Sequence, residues 1–231
     1  GTKIHITQDN IAIITISTFN DYRIAVNFYK NLNYIKECDG FIIDIRNNQG
    51  GISTNANAIA QFFFNGKFIV GKVKNPVYIG AYKAWGSEMD LSKIDFSNPW
   101  EKKVYDICMY NYFEEEILEA GNAHCSCLLN QPVVILANCK TGSAAENFLM
   151  AFDIAGRATI VGETSAGTSG NSLVITLPGG GNARICTRQF IYPNDAEFTN
   201  IGIKPNIYAS LSINDIRNSY DSVLYIIIFF F

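Results

Sequence analysis

The chain has 231 residues, 48% of them hydrophobic, which is ample for a substantial core and too apolar for a disordered chain. Its formal net charge is −3, and its 18 Lys and Arg residues are scattered without a basic stripe, which excludes the electrostatic footprint of a nucleic-acid binder. Six cysteines without a C-x-x-C and two histidines without paired spacing argue against a metal site, and the cysteines fit either reduced thiols or partial disulfide pairing in an exported protein.

The N-terminal "GTKIHITQ" has neither the charged nor the apolar region of an export signal. "IHITQDNIAIITIS" predicts two β-segments around a Gln8-Asp9-Asn10 turn, because β-branched residues dominate and the turn residues hydrogen-bond their own backbone. Ile24, Phe28, Leu32 and Ile35 recur at helical spacing, and Gly40 precedes "FIIDI", a short apolar run that reads as a buried strand. "TNANAIAQFFF" predicts a second helix that stops near Asn65-Gly66, and "KFIVGKVKNPVYIGAYK" returns to strand character. Residues 84–131 are less regular, with loops around one helix through "EKKVYDICMYNYFEEEILEA"; they are expected to form a cap or insertion on a single domain spanning 1–231. Regular order resumes with "PVVILAN" (strand), "SAAENFLMAFDIA" (helix), "RATIVGET" (strand) and "SLVITLPGGGNARICTRQFIY", a hairpin around a glycine turn. Strands alternating with helices, plus hairpins, predict an α/β class with a mixed sheet. The apolar C-terminal "VLYIIIFFF" falls well short of the ~20 residues of a membrane-spanning helix, so no span is expected; it reads as a terminal strand, a helix end, or a segment lying against another chain.

Three loops follow strand ends in this reading. "DIRNNQGG", Asp44 to Gly51, closes in a double glycine that lets backbone N–H groups point outward toward an anion, or else is a plain tight turn with Asp44 and Arg46 paired. "NCKTGSAAENF", Asn138 to Phe148, contains Ser143-Ala144-Ala145-Glu146, the S-x-x-E form of a capping box, so Ser143 reads as a helix cap or as a nucleophile. "GETSAGTSGNS", Gly162 to Ser172, reads as a surface loop or as part of a site. Sites in open α/β sheets gather at strand carboxyl ends, where these loops would converge.

The ordered set "GFIIDIRNNQGG", "PVVILANCKTGSAAENF", "GRATIVGETSAGTSGN" and "FTNIGIKPNI" resembles the S41 serine peptidases, the carboxyl-terminal processing (tail-specific) proteases, over roughly residues 11–210. The resemblance implies a crotonase-like α/β fold of ββα units and a serine endopeptidase acting on peptide or protein substrates. It implies no metal, no organic cofactor and an extracytoplasmic location, and leaves self-association into a homo-oligomer open. It further implies Ser143 as nucleophile, with oxyanion donors from the Ala144 N–H and the turn at Gly50 and Gly51. The helix dipole that favours the cap would also favour a serine alkoxide.

The chain also departs from that pattern. The processing branch carries a Ser-Lys dyad with its lysine in a G-E-K-T-F-G-K-G segment, and Thr168 stands where that lysine would be. The tricorn-like branch uses a histidine base and a glutamate, for which His5, His124 and Glu197 are the candidates. His5 is preferred because a side chain of the first β-segment is expected over the strand ends, whereas His124 precedes a strand about 20 Å long that leads to Ser143. As alternatives to those roles, His5 reads as a solvent-facing strand residue, His124 as a surface-loop residue and Glu197 as an exposed loop carboxylate. The family's PDZ module is not found in this sequence. A peptide-binding scaffold without a working base is the second functional reading, and an acyl-CoA enzyme of the same fold the third.

Overall fold

The computed structural model describes residues 1–122 and 128–228. Strands β1 (Thr2–Ile6) and β2 (Ile11–Ile16) form the expected hairpin, with Asn10 at φ 59° closing its turn. Helix α1 (Arg23–Ile35) buries Ile24, Phe28, Leu32 and Ile35, the residues whose spacing predicted it. Strand β3 (Gly40–Asp44) and helix α2 (Ser53–Ala60) follow, α2 tightening into a 3-10 turn at Gln61–Phe63. Strand β4 (Phe68–Pro76) leads to helices α3 (Gly80–Glu88) and α4 (Pro99–Cys108) and then to strand β5 (Phe113–Ala120).

Here one expectation is corrected. The helix through 101–120 ends at Cys108; Tyr110 turns at φ 59°, and "FEEEILEA" pairs antiparallel with β4. Three successive glutamates favour helix locally, but Glu115 lies opposite Lys74 and contacts both Lys72 (2.5 Å) and Lys74 (3.3 Å). Cross-strand charge pairing of this kind and the ladder's hydrogen bonds outweigh a weak propensity.

The remaining elements are β6 (Val133–Ala137), α5 (Ala144–Ile154), β7 (Thr159–Gly162), the ribbon β8 (Ser172–Thr176) and β9 (Asn182–Cys186), β10 (Gln189–Ile191), β11 (Ile207–Tyr208), α6 (Ile213–Arg217) and α7 (Ser222–Ile228). The main sheet runs β1-β2-β3-β6-β7-β11, with β1 antiparallel and the other five parallel. A second sheet runs β10-β4-β5, and β8 pairs only with β9. The architecture is mixed α/β, with β3 and β6 buried almost throughout, as strands covered on both faces must be. Phe28, Phe63, Phe148 and Phe152, from α1, α5 and the 3-10 turn, lie in the larger core cluster. Val223 and Ile227 of α7 close a smaller one with Ile42, Val134 and Val161, so the described part of the apolar C-terminal run is a helix docked on the sheet.

That helix is tied to the site side of the sheet by charge. Arg46 donates from Nε and Nη2 to Asp44 (2.9 and 2.7 Å) and from Nη1 and Nη2 to Asp221 (3.0 and 2.6 Å). Burial opposes the charge on Asp221, but the hydrogen bonds from Arg46 override it and hold its carboxyl below the ordinary range. Asp221→Asn is expected to lower stability by about 1–2 kcal/mol at neutral pH, read from urea denaturation. Because the folded-state value is lowered, the wild-type contribution is complete above the unfolded value of about pH 4 and is lost as pH falls through the lower folded one. The difference between wild type and variant should therefore shrink in acid.

Candidate active site

The carboxyl ends of β3, β6 and β7 lie side by side, and the loops that leave them are stitched together. The Gly142 N–H donates to Asn48 O (2.9 Å), and the Ala166 N–H donates to Thr141 O (2.9 Å). Asn47 and Asn138 exchange two bonds, N–H to Oδ1 at 2.9 Å and Nδ2 to Oδ1 at 3.1 Å. The buried Thr141 hydroxyl donates to Ile45 O at 3.0 Å. The convergence expected from the sequence is thus present, and it depends on side chains that no motif singled out.

Ser143 sits at the N-cap of α5 with φ 54° and ψ −122°, a backbone region that non-glycine residues occupy at an expense of about 1–3 kcal/mol. Glu146 enforces it. This glutamate is fully buried, and its Oε2 accepts from the N–H groups of Ser143 (3.0 Å) and Thr168 (2.9 Å). Its Oε1 accepts from the Ser165 hydroxyl (2.6 Å) and the Gly167 N–H (2.5 Å). Four donors converge on one carboxylate, which has about four acceptor positions, so the ionised group is satisfied without solvent. The S-x-x-E pattern is therefore more than a helix cap, since it clamps the serine loop to the 162–172 loop. Its location among apolar neighbours in "AAENFLMAF" was the signal that the acid lies on the buried face.

The double glycine abuts this loop. At Gly50 (φ 94°) a Cβ would stand 2.7 Å from Ala144 N and 2.8 Å from Ser143 Cβ, and at Gly51 (φ 136°) 2.5 Å from Asn20 N, so neither position admits a side chain. Of the three oxyanion candidates the structure separates one. The Gly50 N–H is already donated to Asn48 Oδ1 (2.9 Å), so Gly50 shapes the turn. The Ala144 N–H belongs to the first turn of α5, where a helix supplies no acceptor, and the Gly51 N–H makes no hydrogen bond among the described residues. Gly51 and Ser143 line a cavity of about 740 Å³, together with Gly142, Thr168, Lys140 and Arg184.

Residues 10–209 match peptidase family S41. The chain belongs to that family. It is 24% identical over 213 residues to a carboxy-terminal-processing protease of Bartonella bacilliformis, covering 91% of this chain and 40% of that protein. It is 26% identical over 200 residues to the carboxy-terminal processing protease CtpB of Bacillus subtilis, covering 86% of this chain and 34% of that one. The chain thus spans well under half the length of these curated relatives. A Parabacteroides merdae protein described as a peptidase shares the fold, with TM-score 0.72 at 21% identity over 99% of this chain and 63% of that one. Peptidases of family S41 are serine hydrolases acting on peptide or protein substrates.

In this S41 chain His5 is not brought to Ser143, and Glu197 is not among the described residues that line the Ser143 cavity. His5 is exposed on the edge strand and pairs with Ile13, which is level with Ile42 and Val134. Three inter-strand steps of ~4.8 Å put it roughly 14 Å to the side of β6, and a further ~10 Å of strand separates Val134 from Ala137. The first β-segment is antiparallel to its neighbour, so it carries His5 back from the strand ends instead of over them. Glu197 is exposed, bridges Ile191 beside the second sheet and accepts from Gln189 Nε2 at 2.7 Å. His124 lies outside the described residues. Thr168 does face the cavity; a Cβ on Gly142 would stand 2.7 Å from its Oγ1. His5→Ala is expected to change kcat/KM for a peptide substrate by less than about twofold, because proton transfer needs hydrogen-bond reach. No helix among the described residues is long and apolar enough to cross a membrane.

Proposed function

We propose that the chain is the catalytic core of a serine endopeptidase with a crotonase-like arrangement of its strand and helix units. Ser143 attacks the peptide carbonyl to form an acyl-enzyme, which water then hydrolyses, and the N–H groups of Ala144 and Gly51 receive the oxyanion. The observation that carries this reading is the strained Ser143, clamped by Glu146 at a helix N-terminus and opening on the cavity beside the double-glycine turn. The serine proton passes to a histidine. With His5 across the sheet, and with His124 ahead of the strand whose far end carries Ser143, a histidine of another chain is the candidate for that role, and the specific activity should then fall on dilution.

A second reading, a peptide-binding scaffold, is favoured by Thr168, which faces the cavity where the processing branch carries lysine. Treatment with a fluorophosphonate probe followed by peptide mapping separates the two. Covalent labelling at Ser143 supports the peptidase; saturable peptide binding with Ser143 unmodified supports the scaffold and overturns the acyl-enzyme.

A further inference from the structure

The cavity beside Ser143 has a charge that the proposed reaction does not use. Among the described residues, Lys140 and Arg184 are the charged ones that line it, and no carboxylate does. Both are exposed, and among the described residues neither has an ion-pair partner, although the chain as a whole carries a net charge of −3. Several cations elsewhere on the surface are matched locally: Lys72 and Lys74 by Glu115 and Asp195, Lys102 by Asp106, Arg23 by Asp21. Glu146 lies beneath the serine loop, and its oxygens are already occupied by four donors.

The two cations come from separate elements. Lys140 stands in the loop that leads from β6 to Ser143, and Arg184 on the ribbon β8–β9, which pairs with neither sheet. Val174 lies opposite Arg184 and Ser172 opposite Cys186, so strand alternation places Ser172, Val174 and Arg184 on one face of the ribbon. Ser172 and Arg184 both line the cavity, which identifies that face as the one turned toward Ser143. A planar guanidinium with paired donors matches a carboxylate in two-point geometry, and a nearby ammonium adds charge without a shape requirement.

We propose that Lys140 and Arg184 form a subsite for a carboxylate of the peptide substrate, close to the bond presented to Ser143. This rests on the peptide-substrate reading above and adds a specificity to it. The carboxylate comes from an acidic side chain or from the peptide's own C-terminus, and both sources present the same group to the two cations.

Binding measured without cleavage tests this independently of catalysis. Four fluorescein-labelled peptides, Ala-Val-Ala-Glu-Ala-Val-Ala and its Gln counterpart, each with a free or an amidated C-terminus, are titrated by anisotropy into the full chain carrying Ser143→Ala. The expected result is a three- to tenfold tighter Kd for peptides with the relevant carboxylate, weakened by salt. That advantage should vanish on adding Arg184→Gln and be reduced on adding Lys140→Gln. An advantage that follows Glu over Gln assigns the side chain; one that follows the free acid over the amide assigns the C-terminus. Equal binding of all four peptides, no binding of any, or a preference that survives both substitutions overturns the subsite. Fluorophosphonate labelling of the unsubstituted chain needs no peptide, so the failure of the peptidase reading would be seen separately.

Discussion

Ser143→Ala is expected to reduce kcat/KM for an internally quenched peptide by at least about 10³-fold, and toward ~10⁶-fold where the serine and its base act as one unit. The loss is in the chemical step, since the cavity and the backbone donors of Ala144 and Gly51 stay in place. Peptide Kd should therefore stay within a few-fold while kcat collapses. Alanine retains the positive-φ strain at residue 143, so thermal stability should move little. Ser143→Gly removes hydrolysis equally, but relaxes φ 54° and should raise stability by about 1 kcal/mol. Hydrolysis retained at the wild-type rate in Ser143→Ala would remove the serine from the mechanism.

Glu146→Gln is the second large effect, and its readout is stability before activity. Four donors point at the Glu146 carboxylate inside the protein. An amide replaces one acceptor oxygen with an NH₂, which must face N–H or O–H donors that then lack a partner. Each buried unsatisfied group costs about 1–3 kcal/mol, so a loss of roughly 3 kcal/mol is expected. For a chain of this size that corresponds to a Tm lower by about 6–12 °C. Activity should fall with it, even where the variant is still folded, because Ser143 and the 165–168 segment are held by the same two oxygens. Glu146→Asp keeps the charge but shortens the reach, and should fall between wild type and Glu146→Gln. A Glu146→Gln variant with wild-type Tm and kcat would show that the clamp is not needed.

Several parts of this molecule were legible from local sequence because the force that shapes them is local. The α1 face shows as Ile24, Phe28, Leu32 and Ile35, one side of a 3.6-residue period. The apolar runs at 41–45 and 133–137 are strands, since a strand covered on both faces has no polar side to alternate with. The Asp44 and Arg46 pair and the glycines at 50 and 51 could be read because a strand-to-helix turn constrains neighbours in the chain. The order of the four S41 segments pointed to the family, and the match over residues 10–209 bears that out.

What only the tertiary structure decided are contacts between residues far apart in sequence. "FEEEILEA" became a strand because Lys72 and Lys74 lie across from it, a pairing that helix propensity does not register. Glu146 appeared as a capping residue, and its role as a clamp exists only because residues 165–168 fold back onto it. The Gly50 N–H is held by the Asn48 side chain, a contact that the double glycine alone does not disclose. His5 was set on the wrong side of the sheet from the serine by strand order and by the reversal of β1, properties of hydrogen-bonded pairing across the sheet that a linear sequence specifies only through the folded whole.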